Sequence, residues 1–366
     1  MTFTFEVTIL GGSGGPIEND CQSFLIRPYG SDVVDSICVD AGTGLGSLYN
    51  LVAQIGTSDE AKVNDYYNQN VTTRKVFNDV NVAYTNGFSS SLKKVLSEKY
   101  QNLNHWETTI LLYNGIRDYY ITHPHLDHIA GLIINSPLAY EISFGTSKNV
   151  YGLTSTKEAL TDHIFNDTIW PSLNKLKYPK INLNALKQCR THDIANFPWT
   201  TTPFKVNHGC GACNGEPNHS TIYCIRHNRT SEAIVVCGDL ENKASIDTLD
   251  SYLQTFTNWL TNNILAENFK GILIECSSQT VPDGTPLFGH LSPPHLISLL
   301  KLLLKKYNDI GQTISELNVI VTHVKYTCGN EDPRLTVLSE LRNLAKFNNL
   351  HNLNFSYASQ GTTYYL

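Results

Sequence analysis

Three histidines and an aspartate are concentrated in one short segment of the sequence. His123, His125, Asp127 and His128 follow an extended apolar stretch at residues 118–122. Residues two apart in an extended chain point to the same side, so the side chains of His123 and His125 are expected to lie on the same side of the segment. Several buried titratable groups without a counter-ion carry a large desolvation cost. Imidazole and carboxylate are ligands of zinc, iron and manganese, so the segment predicts a divalent-metal site.

Further candidate ligands follow later apolar runs. Four residues cannot fill the coordination shells of two ions, so a site for two ions needs ligands from elsewhere in the chain. His208, Asp239 and His323 each follow an apolar run and precede a turn residue or a change of pattern. Alone, each would more often be an ordinary loop residue. Together with the segment at 123–128 they form a set sufficient for two ions that share one carboxylate.

Short apolar runs rich in Val, Ile and Tyr recur along the chain and end in Gly, Asp or His. Such runs indicate buried strands, and the polar residue after each one predicts functional loops along one edge of a sheet. Helical periodicity is clearest at 294–307 and 334–347, with another amphipathic helix around 89–100. Strands mixed with helices over the whole length predict a layered α/β or α+β architecture. The predicted strands are residues 5–10, 36–39, 118–122, 233–237, 271–274 and 319–322.

Two regions look like insertions into this framework. Residues 56–108 are polar and rich in Asn and Ser, and residues 140–200 contain Trp170 and Trp199 among aromatics that could wall a pocket or pack in the core. Repeats, low-complexity tracts and clear linkers are not seen. The sequence therefore predicts a single domain over residues 1–366 with insertions near 56–108 and 140–200.

The composition is that of a globular protein with a net negative charge. Of 366 residues, 41% are hydrophobic, which is enough for a large core, and the formal charge is −6. That charge disfavours a nucleic-acid polymer as partner, but metal ions could still hold a small anion. We see neither a secretory signal nor a segment that could span a bilayer. Nine irregularly spaced cysteines predict reduced thiols, so we expect a cytoplasmic protein that does not engage membranes.

Two smaller features leave alternatives open. Cys210 and Cys213, with His219 nearby, could suggest a zinc knuckle, but no second pair follows at finger spacing, so a loop with two free thiols is favoured. The apolar helix predicted at 294–307 fits either the core or a homodimer interface.

The His-rich segment and motifs spread over nearly the whole chain resemble one enzyme family. The HxHxDH pattern is similar to the metallo-β-lactamase superfamily. The longer Thr-His-Pro-His-Leu-Asp-His-Ile-Ala-Gly-Leu at 122–132 resembles the class II cyclic nucleotide phosphodiesterases, in particular the fungal low-affinity cAMP phosphodiesterases. The stretches 56–108 and 209–219 do not match the family pattern. Further matching segments are residues 8–16, 165–171, 236–239, 271–277, 289–293, 321–325 and 332–335.

The resemblance implies an αββα sandwich with a dinuclear site at the edge of its two sheets. It implies two divalent ions, zinc with manganese or iron as alternatives. Carried over by position, the ligands of one ion are His123, His125 and His208. Those of the other are Asp127, His128 and His323, and Asp239 bridges the two.

The implied reaction is hydrolysis of a small 3′,5′-cyclic nucleotide, cAMP or cGMP, to its 5′-monophosphate by in-line attack of a hydroxide that bridges the two ions. The departing 3′-oxygen needs a proton donor, and His290 is our candidate, because a histidine in a similar position serves related phosphodiesterases. A capping or packing role is the alternative for His290. Glu275 could orient His290 or raise its pKa, or be an ordinary strand-end carboxylate. With Asp127, these residues form the candidate catalytic set.

The same residues are compatible with other functions. An RNA 3′-processing phosphodiesterase would need a basic arm, and the acidic charge argues against it. A thioester or lactone hydrolase would use the same metals with less need of an acid at His290. A non-catalytic metal-binding protein would be expected to lack ligands, and none is missing.

Two glycine-rich segments follow predicted strands, at 11–15 and 40–44. Either could present backbone N–H groups to a phosphate. The first lacks GxGxxG spacing and a following helix pattern, so both are predicted to be turns of the framework beneath the site.

Overall fold

Two β-sheets and flanking helices form the computed structural model, which describes residues 3–55, 66–67, 74–140, 147–244, 247–282 and 284–366. The strands are β1 (Phe5–Gly11), β2 (Ser23–Pro28), β3 (Ser36–Val39), β4 (Tyr84–Asn86), β5 (Ile116–Tyr120), β6 (Lys148–Leu153), β7 (Ile181–Leu186), β8 (His192–Asp193), β9 (Trp199–Cys210), β10 (Pro217–His227), β11 (Ala233–Cys237), β12 (Phe269–Glu275), β13 (Leu317–Thr322), β14 (Leu353–Tyr357) and β15 (Thr362–Tyr365). The α-helices are α1 (Leu45–Ala53), α2 (Ser90–Lys99), α3 (His105–Gly115), α4 (Leu126–Asn135), α5 (Thr154–Ala159), α6 (Ser251–Asn263), α7 (Pro293–Asp309) and α8 (Pro333–Phe347).

Both sheets are mixed, and each contains a parallel block. The first sheet has the order β4-β15-β1-β2-β3-β5-β6-β7, and the second has β14-β13-β12-β11-β10-β9-β8. Strands β3, β5, β6 and β7 run parallel in the first sheet, as do β11, β12, β13 and β14 in the second. The carboxyl ends of parallel strands meet at one edge, so residues that follow them in the chain gather there.

Four layers, two of helices and two of β-sheet, pack together through three hydrophobic clusters. One lies between the sheets, a second joins the first sheet to α1–α4, and a third joins the second sheet to α6–α8. Strand β11 shows how the sequence builds them: Val235 faces the helices, whereas its neighbour Val236 faces the other sheet. A strand covered on both faces must be apolar at every position, and all of β11 is buried. The predicted αββα sandwich is confirmed.

Two helices bring residues to the edge where the parallel strands end. Helix α4 begins at Leu126, so Asp127 and His128 lie in its first turn while its apolar face is buried. Prolines at the start of α7 fix its first turn, and His290 lies in the loop immediately before it. The apolar face of α7 packs into the core, while a homodimer stays a prediction. None of the described helices combines the length and hydropathy that crossing a bilayer requires.

The regions predicted to be insertions contribute strands to the first sheet. Strand β4 pairs with β15, and β6 and β7 extend the other end of the sheet beyond β5. The rest of the first region falls partly outside the described residues. The single-domain arrangement with two insertions stays a prediction.

Candidate metal centre

The structure brings the seven candidate ligands together at the edge where the parallel strands end. Two groups form, and the ligand atoms within each lie within 4.8 Å of one another. The first ligand group consists of His123, His125, His208 and Asp239. The second ligand group consists of Asp127, His128, His323 and the same Asp239. His123 and His125 come from the loop after β5, Asp127 and His128 from α4, His208 from β9, Asp239 from the loop after β11 and His323 from the loop after β13.

Asp239 is buried between the two groups and offers one oxygen to each. Its Oδ2 lies 3.7 Å from Nε2 of His123 and 3.6 Å from Nε2 of His208. Its Oδ1 lies 3.4 Å from Nε2 of His128 and 3.2 Å from Nε2 of His323. A carboxylate placed in this way can coordinate two cations at once.

Hydrogen bonds on the outer side of the rings fix which nitrogen faces the centre. Nδ1 of His208 lies 2.9 Å from the carbonyl oxygen of Gly289, and Nδ1 of His128 lies 2.7 Å from the carboxylate of Asp40. A carbonyl and a carboxylate can only accept, so both Nδ1 atoms carry the proton. When the rings are neutral, Nε2 of each therefore presents its lone pair to Asp239 and the interior of the centre, as a metal ligand must.

Two unpaired buried atoms show that these residues fit a metal ion. Among the described residues, Nε2 of His123 and Oδ1 of Asp239 are buried and have no hydrogen-bond partner. Leaving such atoms unsatisfied costs about 1–3 kcal/mol each. A divalent cation in each ligand group would be bound by these atoms, and imidazole with carboxylate is a donor set that such ions accept.

Burial and nearby charges shift the pKa values of His123 and His128, one from each group, in opposite directions. Burial lowers the pKa of His123, and it lowers that of His125 to about 4. Burial also acts to lower the pKa of His128, but the carboxylates of Asp239 and Asp40 outweigh it and raise the pKa well above its usual value. Without a cation, the second ligand group therefore holds a proton at neutral pH.

The carboxylates of the centre stay ionised because neighbouring histidines lower their pKa values. Burial acts to raise the pKa of Asp239, but the charges of His323 and His128 outweigh it and lower that pKa well below its usual value. Burial likewise acts to raise the pKa of Asp127, and the hydrogen bond from His323, 3.0 Å long, reverses the shift. Asp127 is the more exposed of the two carboxylates, so it faces the opening of the site.

His290 lies beside both ligand groups and is held by Glu275. Nδ1 of His290 is 3.1 Å from Oε1 of Glu275 and 3.8 Å from Oδ2 of Asp239. Burial acts to lower the pKa of His290, but the charge of Glu275 outweighs it and raises the pKa. Glu275 is fully buried and also accepts the N–H groups of Leu240 and Leu291. This network orients the ring with Nε2 turned away from Glu275.

Two functional positions were not singled out by the sequence reasoning. Asp40 is buried with a left-handed backbone (φ 55°), and it accepts the N–H and hydroxyl of Thr122 as well as Nδ1 of His128. Its segment was expected only as framework, although Asp40 follows a strand as Asp239 does. Lys325 is the second position, and its Nζ lies 3.0 Å from Nε2 of His290.

The glycine cluster after β1 packs directly on a candidate ligand. A Cβ at Gly14 would lie 2.5 Å from ring atoms of His323, so only glycine permits this approach. The carbonyl of Gly12 accepts the N–H of His323, which also has a left-handed backbone (φ 61°). Both contacts agree with the expected structural role of the cluster.

The remaining sequence features add no side chain to the two ligand groups. Cys210 and Cys213 are exposed free thiols, and the metal-ligating groups found among the described residues contain no cysteine. Nε1 of Trp170 donates to Ser136 and its ring packs against the helices of the first sheet, while Trp199 is buried between the sheets. Trp199 therefore packs in the core, and the half-buried Trp170 packs against the core of the first sheet.

Comparison with known proteins places this centre in a family. The family model for class-II cAMP phosphodiesterases matches residues 35–361. The chain is 40% identical over 368 residues to the 3′,5′-cyclic-nucleotide phosphodiesterase 1 of Saccharomyces cerevisiae, with 99% of each chain covered. It is 28% identical to the 3′,5′-cyclic-nucleotide phosphodiesterase of Schizosaccharomyces pombe, covering 99% of this chain and 93% of that one. The crystal structure of unliganded yeast PDE1 superposes with a TM-score of 0.92 at 39% identity over 100% of both chains. The chain therefore belongs to the class-II cAMP phosphodiesterases.

Proposed function

We propose that the protein hydrolyses 3′,5′-cyclic nucleotides, cAMP among them, to 5′-monophosphates at a centre of two divalent ions. The observation that carries the proposal is the position of Asp239, whose two oxygens face two separate groups of ligands. Two ions side by side suit an in-line displacement at phosphorus, and the names of the relatives support a cyclic nucleotide as substrate.

Zinc fits the donor set best, with manganese and iron as alternatives. His123, His125 and His208 would hold one ion, Asp127, His128 and His323 would hold the other, and Asp239 would bridge them. When bound, two such ions neutralise phosphate oxygens and activate water for attack on phosphorus.

His290 is proposed to protonate the departing 3′-oxygen. Because Nδ1 is bonded to Glu275, only Nε2 can meet the substrate. As the P–O3′ bond breaks, the 3′-oxygen takes the proton from Nε2, and Glu275 stabilises the ring while it is charged. In the free protein the ammonium of Lys325 donates to Nε2, so Nε2 carries no proton there. Transfer therefore requires that the substrate displace Lys325 and that Nε2 first take up a proton from solvent.

The His290→Ala variant tests this assignment. We expect it to keep its metal content and to lose about 10²–10⁴-fold in kcat on cAMP, the usual contribution of a positioned acid. A phosphodiester with a 4-nitrophenol leaving group needs little protonation, so its hydrolysis should fall far less. Steady-state kinetics and elemental analysis provide both measurements, and Ser298→Ala on the following helix is a control. Full activity of His290→Ala on cAMP would refute the role.

A cytoplasmic location and a small-molecule substrate are part of the proposal. All nine cysteines are free thiols, which suits a reducing compartment, and the formal charge of −6 disfavours a nucleic-acid polymer. Cell fractionation followed by immunoblotting tests the location, and recovery of the protein in a secreted fraction would contradict it.

A further inference from the structure

Lys325 is anchored beside the second ligand group by backbone contacts on both sides. Its own N–H donates to the carbonyl of Ser277 over 3.0 Å, and the N–H of Tyr326 donates to the carbonyl of Gly15 over 3.1 Å. Lys325 also lies two positions after the candidate ligand His323. The side chain therefore starts from a fixed point at the metal centre, which limits where its ammonium can reach.

The ammonium of Lys325 is half-buried and has no carboxylate partner. Its Nζ lies 3.0 Å from Nε2 of His290, and no carboxylate oxygen of the described part of the chain lies within ion-pair distance. Lys270, by contrast, pairs with Glu232 at 3.1 Å. An ammonium has three N–H donors, so two remain beside the contact with His290, and the third is released when the substrate displaces that contact.

The surroundings of this ammonium select an anionic ligand. His290 lies between Lys325 and the metal centre, with its ring 5.1 Å from that of His323 and its Nδ1 3.8 Å from Asp239. A partly desolvated cation with spare donors next to such a centre binds a phosphate more strongly than one in water would. Lysine binds phosphate as a point charge, which does not require the bidentate geometry that arginine needs.

We propose that Lys325 binds a non-bridging phosphate oxygen of the cyclic nucleotide and of its 5′-monophosphate product. This inference rests on the proposed function and adds to it a specific contact outside the metal ligands. The 5′-monophosphate carries more negative charge than the cyclic diester, so the same contact holds the product more tightly than the substrate. Lys325 then contributes to product inhibition as well as to substrate binding.

Three substitutions separate the charge of Lys325 from its other contacts. Lys325→Met removes charge and donors, Lys325→Gln keeps a donor for Nε2 of His290 without charge, and Lys325→Arg keeps the charge. Lys301→Met is the matched control, because Lys301 is an exposed lysine of α7 that contacts Asn348. All four proteins are loaded with zinc, and their metal content and unfolding temperature are measured first.

The decisive measurement is binding of inorganic phosphate and of adenosine 5′-monophosphate by calorimetry. We expect Lys325→Met and Lys325→Gln to bind both anions about 10- to 100-fold more weakly, as the loss of a charged hydrogen bond predicts. The KM for cAMP should rise in the same two variants. Lys325→Arg should recover most of the affinity, and Lys301→Met should behave as the wild type, all with unchanged metal content.

Three results would overturn the inference. They are unchanged phosphate affinity in Lys325→Met and Lys325→Gln, loss of metal from these variants, or an equal loss of affinity in Lys325→Arg, which would mark a structural role. Failure of the proposed function looks different. If the wild type bound phosphate through Lys325 but did not hydrolyse cAMP, the proposed contact would be supported and the proposed reaction would be contradicted.

Discussion

The two ligand groups share Asp239 but differ in charge. The first ligand group adds only imidazoles to this carboxylate, whereas the second adds Asp127 and has Asp40 directly behind His128. They also differ in exposure, because His125 is exposed whereas His128 and His323 are buried. A cation is stabilised by nearby negative charge that is shielded from water. From this comparison we expect the second group to bind a divalent cation more tightly than the first.

Asp239→Asn removes the carboxylate that the two groups share, so it should have the largest effect on metal binding and turnover. The amide can offer only one uncharged oxygen, and we expect both ions to bind more weakly and kcat on cAMP to fall by about 10³-fold or more. Elemental analysis after gel filtration and a cAMP hydrolysis assay measure this. Asp309→Asn, at the exposed end of α7, is the control. Two tightly bound ions in Asp239→Asn would show that the carboxylate does not bridge.

His125→Ala and His323→Ala separate the groups and test their ranking. Each variant loses one ligand of a single group, so each should lose turnover, but they should not lose the same metal. We expect His125→Ala to keep about one ion per chain in the anionic second group after gel filtration. His323→Ala should keep less, because the group that remains intact is the weaker one. Equal retention by the two variants would contradict the ranking.

Lowering the pH should weaken cation binding by the second group more than by the first, although the second is expected to bind the cation more tightly. Burial acts to lower the pKa of His128, but Asp239 and Asp40 raise it, so a proton occupies the metal-free second group at neutral pH. The incoming ion must displace this proton, and affinity falls by up to about tenfold for each pH unit below the raised pKa.

In the first group, burial lowers the pKa values of all three histidines, that of His125 to about 4, so protons compete less with a cation there. Zinc competition titrations between pH 8 and pH 6 should therefore be steep for His125→Ala, which reports the second group, and shallow for His323→Ala. Adding Asp40→Asn to the first of these variants removes one cause of the raised pKa and should flatten its slope. Parallel slopes in the three proteins would rule out this account.

The sequence identified the residues that gather at the centre better than the contacts that hold them. His123 to His128 form a local pattern, and Asp239 and His323 follow apolar strands, so short segments carry enough information to identify them. The contact between Asp40 and His128 joins residues 88 positions apart, and that between His290 and Lys325 joins residues 35 apart. Such pairs depend on how the sheets and loops pack, which hydrophobic periodicity does not describe.

The same limit applies to the fold. Strands of the parallel blocks were predicted because burial on both faces makes them continuously apolar, as in β11. Strand β4 has only three residues, none of them fully buried, and β7 alternates Asn with apolar residues at the end of its sheet. Neither carries a strong local signal, and their places follow from pairing with distant strands.

The position of β15 in the first sheet has a consequence for synthesis on the ribosome. This strand pairs with both β1 and β4, which precede it by most of the chain. At about 5–20 residues per second, the roughly 275 residues between β4 and β15 take about 14–55 s to translate. During that time β1 presents an open edge, and such edges pair readily with other polypeptides. We therefore expect the nascent chain to need protection of this edge by chaperones until β15 emerges.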